Sequence, residues 1–310
     1  MLEVIQAGIQ TTVQDAGRIG VGHLGLPRSG ALDSQAMLLA NRLLGNDDNA
    51  PVLEFALGLS RLRFYRDAWI ALTGADFNAQ IDGKSAWCGW RTAIKSGQTL
   101  TLHGPKAGMR AYLAVDGGIQ VPTFMGSAST DLTSGLGGVE GRALKSGDRL
   151  ALGKEHNLKH PVGAMQRLWD NQIRVLAGPH FDWLANPAQF AKSHWTLLPS
   201  SNRMGARLDG EPLSLHTPLE IGSRGVFPGV VQLPPSGKPI VLLNDAQTTG
   251  GYPIIATVIE ADMWKLAQAR PGQTLQFVPV SLDEARAVGE RWQQYFYRLG
   301  RALGAGAPHA

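Results

Sequence analysis

The residues Asp245-Ala246-Gln247-Thr248-Thr249-Gly250-Gly251-Tyr252-Pro253 gather a carboxylate, an amide, two hydroxyls, paired glycines and a proline between two apolar runs. Paired glycines let the backbone take positive φ and approach a ligand closely. Their N–H groups can converge on an anion, with the Thr248 and Thr249 hydroxyls beside them. Gln247, Thr248, Thr249, Gly250, Gly251 and Tyr252 therefore read as a ligand-contacting loop, although the same residues also fit an ordinary hairpin tip. A second polar set, Thr11, Thr12, Gln14, Asp15 and Arg18, supplies donors, a carboxylate and a guanidinium. It lies in a stretch from Gly8 to Gly30 that has no helical period and reads as an extended polar loop. A third, Gly126-Ser127-Ala128-Ser129-Thr130-Asp131-Leu132, could bind an anion or hold a neighbouring segment in place.

Other chemistries find little support. Gly83-Lys84-Ser85 resembles the end of a phosphate loop, but Asn78 stands where that motif needs glycine. No Gly-x-Ser-x-Gly elbow is present. His156 and His160 have the spacing of a helical metal pair, yet Asn157 replaces the glutamate of His-Glu-x-x-His, so a solvated linker over Gly153 to Met165 is the better reading.

The elements that must position these loops are mostly strands. The chain has 38 glycines among 310 residues, where ordinary usage gives roughly 22. This excess marks many tight turns between short β-branched runs. Strands are expected at Leu53–Phe55, Leu62–Phe64, 68–72, 79–81, 99–102, 111–115, 173–176 and 195–198, and on both sides of the 245–253 loop. Asp82-Gly83 marks a tight hairpin. Asp33 caps a helix with Ala36, Met37, Ala40, Leu43 and Leu44 on one stripe and Gly45 at its end. Glu260 to Ala269 suits a short helix, and Ser281 with Glu284 forms a capping box for a last one. Lys95-Ser96-Gly97-Gln98, Lys145-Ser146-Gly147-Asp148 and Arg270-Pro271-Gly272-Gln273 each precede an alternating strand. They suggest either related β units or convergence on one good turn.

The net charge of +4 is dispersed, with no basic run interleaved with aromatics, which argues against nucleic acid. A lone Cys88 excludes an internal disulfide and suits a reducing compartment. No apolar run approaches the ~20 residues that span a bilayer, and no leader pattern opens the chain, so a cytoplasmic location and no membrane partner are expected.

Thr11 to Arg18, Ser29 to Asp33, Ala40 to Asn46, Gly126 to Leu132, Ser201-Asn202-Arg203-Met204-Gly205 and Gln247 to Pro253, taken in series, resemble the allophanate hydrolase subunit 2 family, which is carboxyltransferase-like. Arg224, Asn202 and Ala206 depart from its usual residues. The resemblance implies a mainly β fold with cyclophilin-like β-barrel architecture, two β-rich halves and a few peripheral helices. Its expected divisions are 1–155, 156–280 and a C-terminal helix and tail over 281–310. It further implies one subunit of an ATP-dependent 5-oxoprolinase that opens 5-oxo-L-proline to L-glutamate with partner A and B subunits, the B partner held in a tight complex. ATP would bind at a shared or partner site, and no Met-Lys-Met biotin attachment motif occurs in this chain. A lactam activated in this way needs fixed N–H donors and a cation. Asp15 and Asp245 are then the candidate acid/base or orienting carboxylates and Arg203 the cation. Thr11, Thr12, Gln14, Arg18, Gln247, Thr248, Thr249, Gly250, Gly251 and Tyr252 are the substrate contacts. Two other readings follow from the same resemblance: a regulatory protein that sequesters a kinase inhibitor resembling the B partner, and a carboxyltransferase or allophanate-hydrolase-type subunit acting on urea-like amides.

Overall fold

Glycine turns and short β-branched runs fold into a mainly β protein with a few helices; a computed structural model describes residues 1–216 and 221–304. The chain forms two compact units. The first comprises Met1–Arg18, Ser29–Leu168 and the chain from Phe296 onward; the second comprises Ile19–Arg28 and Trp169–Tyr295.

The first unit is built on two sheets. One runs in the order Ile119–Gln120, Arg149–Leu152, Leu2–Ala7, Ser60–Phe64, Thr99–Leu102, Gln80–Ile81, Lys84–Ser85. The other runs Val162–Gly163, Trp90–Ile94, Ala68–Gly74, Arg110–Val115, Val52–Ala56, Gln10–Gln14. In Ser60–Phe64 the side chains alternate, with Leu62 and Phe64 buried and Arg61 and Arg63 exposed, as a strand with one wet face requires. Leu2, Val4, Leu62, Phe64 and Leu100 from one sheet share a single core with Leu53, Phe55, Ile70, Leu72 and Leu113 from the other. Each such side chain contributes about 1.5–3 kcal/mol by leaving water. Arg110–Val115 is buried at every position, because the helix Ser34–Leu44 covers the face turned away from that core. The helix begins as its sequence dictates: Asp33 accepts the Ala36 N–H at 2.9 Å, and Gly45 closes it at φ 68°. Ala36, Met37, Ala40, Leu43 and Leu44 are all buried.

Two expectations are corrected here. The stretch from Gly8 is not loop throughout, since Gln10–Gln14 is a strand paired antiparallel with Val52–Ala56. Thr11, Thr12, Val13 and Gln14 are all buried, so neither face is wet and the alternation that marks a surface strand is absent. Gly153 to Met165 is not a solvated linker either. His156 donates its N–H to Asp116 at 3.1 Å, its Nδ1 lies 2.8 Å from Leu44 O, and Val162–Gly163 pairs with Trp90–Arg91.

The second unit is a closed barrel in the order Gln172–Ala177, Ile254–Val258, Val230–Gln232, Ile240–Leu242, Gly205–Asp209, Trp195–Leu197, Thr274–Pro279. Thr274–Pro279 closes the ring by pairing parallel with Gln172–Ala177 and antiparallel with Trp195–Leu197. The Phe190 and Phe277 rings stack at 4.7 Å over one end of the core. Ser281 and Glu284 form the expected box: Ser281 N–H donates to Glu284 Oε2 at 2.7 Å and Glu284 N–H to Ser281 Oγ at 3.2 Å. Val288 on the helix they start packs on Ile259 and Ala261.

The three similar turns share one construction. Gly97, Gly147 and Gly272 have φ of 86°, 92° and 87°. The side chains of Gln98, Asp148 and Gln273 accept the N–H groups of Lys95, Lys145 and Arg270 at 2.8, 2.8 and 2.7 Å. The same turn serves both the two-sheet unit and the closed barrel.

Asp148 shows what the turn is worth. Arg142 grips its carboxylate with Nη1 at 2.8 Å and Nη2 at 3.0 Å, and these bonds, with the Lys145 N–H, hold its pKa below the ordinary carboxylate value. A depressed folded-state pKa gives stability that is complete above the ordinary value, declines below it and is lost once pH falls past the folded value. Asp148→Asn should therefore lose about 2 kcal/mol at pH 7. In denaturant melts it should also show a smaller further loss than the parent chain when pH is lowered to about 3.

Candidate functional site

The candidate residues fall into two sets, one in each unit. In the first unit everything turns on Asp15, which is 2% exposed. Its Oδ1 accepts from Gly17 N–H at 2.8 Å, Ser127 Oγ at 2.6 Å and Ser129 Oγ at 2.5 Å, and its Oδ2 accepts from Ala128 N–H at 2.6 Å. The Asp15 N–H donates to Ser129 Oγ at 2.9 Å, and the Asp15 carbonyl accepts Ala31 N–H at 2.9 Å. Ser129 N–H donates to Ser127 Oγ at 3.0 Å, so the two serines relay donors onto one carboxylate. Asp15 thus accepts four hydrogen bonds from its own chain, three at Oδ1 and one at Oδ2. It ties the segment after Gln10–Gln14 to the loop from Ser127 to Thr130.

The other members of this set are also drawn inward. Thr11 Oγ1 donates to Ala7 O, and Gln14 Nε2 donates to Thr12 Oγ1 at 3.0 Å and to Thr130 O at 3.1 Å. Arg18 is 2% exposed; its Nη2 donates to Ser129 O at 2.7 Å, its guanidinium lies 5.8 Å from the Phe124 ring centroid, and Nε and Nη1 have no partner among the described residues. Gly137 keeps this arrangement possible. It has φ 69°, and a Cβ there would stand 2.1 Å from Ser129 O and 2.5 Å from Arg18 Nη2. The returning segment is fixed by a buried network: Glu54 Oε2 accepts Leu32 N–H at 2.9 Å and Tyr112 Oη at 2.8 Å, and Tyr112 Oη accepts Asp33 N–H at 2.8 Å. Burial, then the Glu54 charge, pushes the Tyr112 hydroxyl far above its ordinary pKa, so it stays protonated as this network requires.

In the second unit Arg203 and Asp245 form a buried, two-pronged ion pair, Nε to Oδ2 at 2.8 Å and Nη2 to Oδ1 at 3.0 Å, with side chains 5% and 3% exposed. Asp245 N–H also donates to Arg203 O at 3.0 Å. The pair anchors the start of the Gln247–Tyr252 loop, whose other end enters Ile254–Val258. Val230–Gln232 lies between the two framing strands, so the loop crosses over a strand and is not a hairpin tip. Gln247, Thr249 and Tyr252 are exposed and Thr248 is half-buried. Thr249–Gly250 pairs with Arg224–Gly225, and Val226 N–H donates to Thr248 O at 2.9 Å. The loop thus presents polar groups from a rigid base.

Of the two tasks the sequence offers for Ser127 to Asp131, an anion site or a brace, the structure shows the brace, with Asp15 as the group held. His180, Gln232 and Tyr112 carry no motif and escape sequence reasoning, and Arg224 stands out there only as a departure. Among the described residues no group of three or more His, Cys, Asp or Glu could hold a metal ion. The concavity lined by Asp67, Trp69, Lys95, Asp116 and His156 contains none of the candidate residues.

Asp15→Asn keeps the shape but turns an NH2 group onto donors that the carboxylate accepts. It should cost about 3 kcal/mol, against about 1 kcal/mol for Ser127→Ala. Denaturant midpoints of the two variants check this, and equal small losses would show that the carboxylate's donors are dispensable.

Over residues 24–279 the chain matches the family described as carboxyltransferase domain, subdomain A and B. It is 52% identical to the C subunit of 5-oxoprolinase from Escherichia coli (strain K12) over 306 residues, 98% of this chain and 99% of that protein. To the subunit of the same name in Haemophilus influenzae it is 39% identical, over 98% of this chain and 99% of the relative. A solved structure of the K. lactis urea amidolyase superposes with a TM-score of 0.89 at 31% identity, covering 96% of this chain and 20% of that much longer one. The chain therefore belongs to the carboxyltransferase domain family, subdomain A and B.

Proposed function

We propose that this chain is the C-type subunit of an ATP-dependent 5-oxoprolinase, opening 5-oxo-L-proline to L-glutamate together with A-type and B-type partners. The observation that carries the reading is end-to-end similarity, 52% over 98% of the chain, to a protein named as that subunit. The site chemistry supports it. A lactam amide resists hydrolysis, and its cleavage calls for fixed donors near the carbonyl oxygen as charge develops there. The Thr248 and Thr249 hydroxyls, the Gln247 amide and the Gly250-Gly251 backbone are suited to that task, and the Arg203–Asp245 pair holds them in place. In the first unit Arg18 keeps two guanidinium nitrogens without partners among the described residues, which suits contact with an anionic group. Asp15 and Asp245 act in this reading by orienting loops.

The sequence lacks a phosphate-loop motif, and in this reading ATP binds at a site shared with, or held by, a partner subunit. A cytoplasmic location accords with the single cysteine and with the absence, among the described residues, of a helix long and apolar enough to cross a membrane. The second reading, carboxyl transfer to a urea-like amide, is favoured by the likeness to the K. lactis urea amidolyase.

Mixing this chain with candidate A-type and B-type partners should give ATP hydrolysis that depends on 5-oxoproline. Thr248→Val with Thr249→Val should lower kcat/KM by about 100-fold while leaving the complex intact in size-exclusion chromatography. Normal turnover without this chain would sink the proposal. Turnover of urea or allophanate that avidin abolishes would favour carboxyl transfer instead.

A further inference from the structure

Arg224 and His180 meet in a way that neither can satisfy alone. His180 is 3% exposed and fixed to Ile254 in both directions: Ile254 N–H donates to its Nδ1 at 2.9 Å, and its own N–H donates to Ile254 O at 3.1 Å. A ring nitrogen that accepts an N–H carries no proton, so the neutral imidazole holds its single proton on Nε2. Burial and then the Arg224 charge keep the His180 pKa below its ordinary value, which leaves the ring neutral at pH 7. Nε2 stands 3.2 Å from Arg224 Nη1, and a guanidinium has only donors to offer. Two N–H groups therefore face each other at hydrogen-bond distance, with no acceptor between them among the described residues.

A third donor belongs to the same neighbourhood. Gln232 is 2% exposed and its Nε2 has no partner among the described residues. It points at Gly250, where a Cβ would come within 2.6 Å of that nitrogen. Strand registers link the three: Gly250 pairs with Arg224, and Gln232 pairs with Ile254, which holds His180. Arg224 is exposed, so its guanidinium can swing aside to admit a ligand.

We infer that Arg224, His180 and Gln232 form a binding site for a small monoanionic carboxylate on the barrel unit, beside the Gln247–Tyr252 loop. One guanidinium with a neutral imidazole and an amide supplies one positive charge and several N–H donors. That set matches a carboxylate, and it would leave the second charge of a phosphate dianion uncompensated. The site stands on geometry alone; its assignment to the carboxylate of 5-oxoproline rests on the function proposed above.

The test uses the full chain labelled with 15N-histidine, with His180→Gln to assign its ring signals. The Nε2-protonated form is expected at pH 7. Acetate and 5-oxo-L-proline should shift its Nε2 signal saturably, whereas 2-pyrrolidinone, the same lactam ring without the carboxylate, should not. Arg224→Gln should weaken acetate binding about tenfold or more with an unchanged melting temperature. A ring protonated on Nδ1, no saturable response to acetate, tighter binding of inorganic phosphate, or undiminished affinity in Arg224→Gln would each overturn the site. If acetate binds and 5-oxo-L-proline does not, the site stands and its substrate assignment falls. If reconstituted turnover needs this chain while acetate is without effect, the site falls and the proposed function stands.

Discussion

A carboxylate removed from water loses solvation worth several kcal/mol or more, and the protein must replace it locally or leave the segment unfolded. Asp15 meets this constraint mostly over long range, because three of its four side-chain donors come from residues more than a hundred positions away in the chain. The requirement fixes the Ser127–Thr130 loop, which places the Ser129 carbonyl for Arg18 and leaves glycine as the only residue able to stand at 137. The second unit meets the same constraint with a different partner. Asp245 is neutralised by Arg203 in two-pronged contact, so the charge is cancelled as well as solvated. In both units a buried acid makes a polar, glycine-rich loop rigid.

Legibility follows the range of the interactions. Local devices are readable: the Asp33 cap with its Gly45 stop, the Asp82-Gly83 hairpin, the Ser281–Glu284 box and the three glycine turns each depend on residues within a few positions of one another. Gln10–Gln14 is unreadable as a strand because burial on both faces removes the alternation, and its polar side chains are satisfied by partners such as Thr130, 116 positions from Gln14. Gly153 to Met165 fails for a similar reason, since the contacts that order it, to Leu44, Trp90 and Asp116, lie far back in the sequence. The ordered motifs are readable as a family, but the jobs of individual residues are not. Whether a carboxylate is free or saturated depends on its neighbours in space, and a lone His180 or Gln232 announces nothing.

Sharing one architecture with both 5-oxoprolinase subunits and a urea amidolyase implies that the framework is not what selects the reaction. The parts able to differ without disturbing the framework are exposed groups on anchored loops. In this chain those are Gln247, Thr249, Tyr252 and Arg224, all outside the buried cores.

The barrel's closure has a consequence for how the protein is made. Thr274–Pro279 is the last strand among the described residues, and it bonds to the barrel's first strand on one side and to Trp195–Leu197 on the other. Until the ribosome has released this segment, the ring has a gap of one strand, with two unsatisfied edges bordering a partly covered apolar interior. Synthesis of the second unit is therefore a period of exposure that ends only with its final strand. A ribosome stalled before residue 274 would leave an open sheet prone to pair with other chains, whereas every described strand of the first unit lies before Leu168.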